Sequence, residues 1–198
     1  MPQLTFPLSK RLAMYLLLSG ASFAQAADDS LTYCHSYAGI NFPDYRALWN
    51  QAHPERTEIT YKALLNLATK SHDKTYLSEL LSQIARTYTV RNQYNNAEYY
   101  LSQSALYLDD AKPSAHGHYW AEKARLEHYQ HRSEQAISAL DQAWRFAQQA
   151  NDDRLQAEVA IMQSRYDKKQ SAIWLKRAQE IIATSNDRRL KKEGIALL

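Results

Sequence analysis

Two stretches of this chain repeat each other at a fixed spacing, and that restricts the fold more than any single motif. Ala85 and Ala124 lie 39 residues apart. Twelve residues beyond each stands another alanine, Ala97 and Ala136; four further on come Leu101 and Leu140, then, after three more, Ser104 and Ala143. A looser third set, Val159, Ser171, Leu175 and Ala178, keeps the same internal steps. A period of this size implies stacked supersecondary units, each burying its apolar side against the next. Small side chains let paired helices approach, and a large apolar residue fills the groove beside them.

Only four Gly and five Pro occur in 198 residues, so helix-breaking signals are scarce. Residues 27–43 read as irregular, with Gly39 and Pro43 among them. Beyond them the pattern predicts helices over 44–52, 55–70, 74–91, 94–109, 115–130, 133–149, 153–166, 169–184 and 187–197. The connectors are short and rich in Asp, Asn and Ser, whose side-chain oxygens cap helix N-termini. Short connectors make successive helices antiparallel neighbours.

The pattern resembles the tetratricopeptide repeat, a helix–turn–helix unit. Trp120, Ala124, Ala136, Leu140 and Ala143 carry the resemblance in the middle copy. Leu81, Ile84, Ala85, Tyr88, Tyr94, Ala97 and Leu101 carry it in the first. The period is longer than the usual 34, Lys123 and Glu127 stand where the family favours Leu and Tyr, and the third copy lacks both alanines of the helix-pair contact. The resemblance implies an all-α fold, a right-handed superhelical stack of antiparallel helix pairs over 44–198. The segment 187–198 would then be either a terminal cap or the start of a partner contact.

The N-terminus is read separately. Lys10 and Arg11 precede the apolar run Leu12–Leu18, and Ala24-Gln25-Ala26 fits a signal-peptidase site. Residues 1–26 are therefore expected to be a secretory signal, cleaved after Ala26, with the mature chain periplasmic or secreted. The apolar run is too short to span a membrane. Losing Lys10 and Arg11 lowers the formal net charge from +3 to +1. A near-neutral chain without a basic run argues against nucleic acid. Cys34 has no partner for an internal disulfide, being the single cysteine.

No phosphate loop, H-E-x-x-H or nucleophile elbow is present. The pairs Asp109-Asp110 and Asp152-Asp153 fall at helix junctions, where capping explains them. His116 and His118 open one helix while His128 and His131 close it, about 15 Å away. The four cannot share one ion. The expectation is no enzyme activity, no metal and no cofactor.

In the tetratricopeptide family the first helix of each pair lines the concave groove. Transfer of that rule, with Ala85, Ala124 and Val159 as matching positions, implies a partner-binding set of Arg86, Thr89, His118, Arg125, His128, Tyr129 and Gln163. Ser82, Val90, Ala121, Gln156 and Ser164 belong to the same transferred face. Arg86 and Arg125 fall at equivalent places, and two guanidiniums suit a carboxylate. Equally, each could be solvated or pair with Glu122 or Glu79. Tyr94, Tyr99, Tyr100 and Tyr107 form a stripe that is either inter-repeat core or interface. The expected function is an exported scaffold or adaptor that binds a protein or peptide partner. The alternative is a periplasmic small-ligand or peptide receptor, or the sensor domain of a signalling system.

Overall fold

A computed structural model of the chain describes residues 35–37 and 40–197. The expected signal segment and Cys34 lie outside the described residues. The described residues are all-α in class. Eight α-helices follow a small hairpin: β1 (His35–Tyr37), β2 (Ile40–Phe42), α1 (Pro54–Ala68), α2 (Lys74–Thr89), α3 (Tyr94–Ala105), α4 (Pro113–Tyr129), α5 (Ser133–Gln149), α6 (Asp153–Tyr166), α7 (Ser171–Thr184) and α8 (Arg188–Leu197). The hairpin is antiparallel, with Ser36 opposite Asn41, and lies within the stretch expected to be irregular.

Two expectations of the sequence reading are corrected. Residues 44–52 form no α-helix; a short 3-10 turn covers Tyr45–Leu48 and the chain then runs extended through Trp49. Asp44 starts that turn by accepting the Arg46 N–H at 3.0 Å. The expected helix 94–109 stops at Ala105, and a second 3-10 turn covers Leu108–Asp110.

The helix ends follow local chemistry. Asp73, Asp152 and Asp187 each accept a backbone N–H in the first turn of α2, α6 and α8. Pro54 and Pro113 occupy the first positions of α1 and α4, where the missing N–H is no loss. Asn92, His131 and Asn151 take positive φ and end α2, α4 and α5. Behind each, the next N–H reaches back five residues, as in Gln93 to the Tyr88 carbonyl at 3.0 Å.

Successive helices pair as α2 with α3, α4 with α5 and α6 with α7, and α2 also lies along α4. The core is serial. Tyr61, Tyr76, Leu80, Ile84 and Leu126 fill the first part, Leu140, Leu155 and Val159 the second, and Ile182 and Leu190 the end. All the alanines of the repeat pattern, from Ala85 to Ala178, are buried. α6 meets α4 more sparingly than α2 does, so the two diverge. α8 lays Leu190 against Ala157 and Ile182, covering the ends of α6 and α7.

Gly117 sets the closest approach in this part. A Cβ there would stand 2.6 Å from Leu155 Cδ2 and 3.4 Å from the Ala147 amide nitrogen. Helix propensity alone favours Gly117→Ala by up to about 1 kcal/mol. Overpacking the fully buried Leu155 costs about 1–3 kcal/mol. Gly117→Ala should therefore lower the urea midpoint; a raised midpoint would show that α6 yields freely.

Candidate functional site

The inward faces of α2, α4 and α6 line a half-open cavity of about 840 Å³. Gln83, Arg86 and Val90 come from α2 and its cap, at steps of three and four, so one helical face supplies them. His118, Arg125, His128 and Tyr129 come from α4, and Leu155, Glu158, Met162 and Tyr166 from α6. Arg46 and Trp49 close one side from the segment before α1, and Leu190, Glu193 and Gly194 of α8 complete the wall.

Five of the expected groove residues line this cavity: Arg86, His118, Arg125, His128 and Tyr129. Thr89 and Gln163 do not. Thr89 is buried and its hydroxyl donates to the Ala85 carbonyl at 3.1 Å. Gln163 is buried and donates to Asp141 on α5 at 2.9 Å. The cause in α6 is register. α2 and α4 begin 39 residues apart, at Lys74 and Pro113, but α4 and α6 begin 40 apart, at Pro113 and Asp153. Matching Val159 to Ala124 assumes 35, and five residues turn a helical face by roughly 140° at 3.6 residues per turn. At the spacing of 40, Glu158 answers to His118 and Arg165 to Arg125, and both line the cavity. The remaining transferred positions divide similarly: Ser82, Ala121 and Ser164 are buried, and Gln156 donates to the Ala147 carbonyl, whereas Val90 lines the wall.

The two arginines are not waiting for a partner's carboxylate. Glu158 Oε1 accepts from Arg86 Nη1 and from Arg125 Nη2, each at 2.9 Å. Behind it Glu122, 1% exposed, accepts from Arg125 Nε at 2.8 Å and from Gln83 at 3.4 Å. The Arg86 guanidinium lies over the Trp49 ring at 4.4 Å. Burial pushes the Glu158 carboxyl up, but Arg86 and Arg125 outweigh it and bring its pKa to about 2. Glu158 was absent from the sequence expectation, while Glu122 was weighed as a partner.

A second ion-pair lattice ties the start of the domain to its end. Arg46 Nη1 donates to Asp152 Oδ2 at 2.9 Å, and Asp44 Oδ2 takes Arg189 at 3.2 Å and Arg154 at 3.5 Å. Arg154 also faces Asp187 at 3.7 Å. Burial raises the Asp152 pKa, but Arg46, then His118, pull it below the ordinary value. Tyr45 is fully enclosed and donates to Glu79 at 2.9 Å, and burial, then Glu79, raise its pKa.

The histidines of α4 have separate surroundings. His116 bonds the Leu108 carbonyl at 3.0 Å and stacks on Phe146. His118 meets Tyr45 edge-on, and His131 holds the positive-φ turn. His128 lies flat on Tyr166, with centroids 3.7 Å apart. Burial, with His131 and Arg125, lowers its pKa below the ordinary imidazole value. Among the described residues no group of three His, Cys, Asp or Glu could hold a metal ion. No described helix is long and apolar enough to cross a membrane. The tyrosine stripe divides: Tyr100 stacks on Tyr88, Tyr94 donates to the Tyr129 carbonyl at the cavity rim, and Tyr99 is 57% exposed.

Comparison with known proteins finds no matching family model, no matching curated protein and no matching solved structure.

The sign of the Glu158 contribution follows from its depressed pKa. It is fully present above the ordinary value near 4.5 and is lost as pH falls toward 2. Wild type should lose on the order of 2 kcal/mol over that window through this group, and Glu158→Gln should not. Urea titrations at pH 7, 5 and 3 read the difference; parallel pH curves would refute the assignment.

Proposed function

We propose that the chain is an exported, non-catalytic binding module. Its helix pairs form a tetratricopeptide-like, right-handed stack, and it holds a short stretch of a protein or peptide partner in the cavity. One observation carries this reading: the inward faces of α2, α4 and α6 converge on one half-open space of about 840 Å³. Sites for small ligands run to roughly 300–1,000 Å³, so the space suits a short segment rather than a folded domain. Support for a non-catalytic role comes from the site's charges. Its central carboxylates and guanidiniums pair with one another, and Glu158, held far below its ordinary pKa, is not poised for acid–base work near neutral pH. Support for export comes from the charged, apolar and small-residue sequence of residues 1–26.

A second reading, a periplasmic small-ligand or peptide receptor or the sensor domain of a signalling system, is favoured by partial closure. Trp49 and α8 wall the cavity on sides that an open groove would leave free.

The test is a random peptide display screen against the full chain, repeated with Val90→Trp. Val90 lines the wall, and an indole there fills the space. Captured peptides should bind Val90→Trp at least about tenfold more weakly, with an unchanged circular dichroism spectrum. Unweakened binding there, with loss in Tyr99→Ala plus Leu106→Ala on exposed positions, would move the interface elsewhere and overturn the reading. N-terminal sequencing of the secreted chain should begin at Ala27.

A further inference from the structure

The cavity's charges and the chain segment packed beside it on the same inner face together specify a ligand chemistry, given the binding role proposed above. Arg86 and Arg125 converge on Glu158 Oε1, with Glu122 behind, so two guanidiniums face two carboxylates. An entering carboxylate would have to expel Glu158 from both arginines and leave it without its counter-charges. Such an exchange gains no new ion pair, because one carboxylate merely replaces another.

The chain's own segment before α1 shows what this face accepts. Phe42 stacks on Tyr76, with centroids 4.6 Å apart. Tyr45 is seated edge-on to Tyr61, Tyr76 and His118. The backbone is read too: Tyr76 donates its hydroxyl to the Pro43 carbonyl at 3.2 Å, and Tyr61 donates to the Tyr45 carbonyl at 2.8 Å. Aromatic anchors plus carbonyl acceptors are the means by which extended peptides dock. The cavity continues past this segment along Trp49 to the His128–Tyr166 stack, edged by Tyr129.

We infer that the cavity takes an extended peptide segment bearing uncharged aromatic side chains, and that Glu158 sets this specificity by neutralising Arg86 and Arg125 against incoming carboxylates. Glu158 acts as an internal occupant of the carboxylate position. Its removal turns the same two guanidiniums into an acidic-peptide site.

The experiment uses the full chain and two short acetylated, amidated probe peptides. One carries Phe and Tyr, and the other carries Asp at both places. Calorimetric titration of wild type should show the aromatic peptide binding at least about tenfold tighter. In Glu158→Gln the ratio should fall to about one or invert, while Glu158→Asp, which keeps the charge, should retain the wild-type preference. Circular dichroism checks that each variant is folded, and the wild-type ratio decides by itself if Glu158→Gln unfolds. Equal or tighter binding of the acidic peptide to wild type overturns the inference. So does an unchanged ratio in folded Glu158→Gln. Failure of both peptides to bind any of the proteins overturns the peptide-binding role itself, together with this inference.

Discussion

Two carboxylates hold residues distant in sequence across the inner face of this fold. Glu158 joins α6 to α2 and α4 through Arg86 and Arg125. Asp44 joins the segment before α1 to α6 and α8 through Arg154 and Arg189. Neighbouring helices bury apolar side chains against each other, but that serial core leaves α2 and α6 without a shared apolar layer. The ion pairs supply the link. These pairs are partly exposed, so they fix geometry more than they add stability.

The same pairs determine what the cavity is chemically. A face with arginines at Arg86, Arg125 and Arg165 reads as an anion site on composition alone. Glu158 and Glu122 change that reading at Arg86 and Arg125, and Asp152 pairs with Arg46 in the same lining. Beside these pairs the lining presents the aromatic rings of Trp49, Tyr94, Tyr129 and Tyr166. The balance is local: Glu158 stays ionised to about pH 2 because both guanidiniums outweigh its burial.

Helix positions were legible in the sequence because caps are local. Asp73, Asp152 and Asp187 mark starts, and Asn92 and Asn151 mark stops, each through bonds within a few residues. The Ala85–Ala124 match was legible because α2 and α4 start the same number of residues apart as those alanines. The third copy was not. Its alanines are gone from the expected register, so Val159 offered a match on apolarity alone, five residues out of phase with the helix starts. Thr89 lies outside the lining for another reason: it is on a cavity-lining helix, but its short side chain bonds its own backbone. The stretch 44–52 failed because its conformation is set by tertiary partners. Tyr45, Arg46 and Trp49 are placed by Glu79, Asp152 and Arg86, all remote in sequence.

That last case explains why repeat patterning finds a wall but not what lies against it. Periodicity records contacts made by every unit, because only those recur. The segment from Phe42 to Trp49 makes its contacts once, and it makes them as a ligand would, through inserted rings and accepted hydroxyl donations. At the corresponding places of the preceding helices Glu79 accepts from Tyr45 and His118 meets the Tyr45 ring, whereas Glu158 accepts from two arginines at 2.9 Å. In a stack of similar helices, specificity therefore resides where the repeat is broken, and the broken positions here are the ones that set the charge and the closure of the cavity.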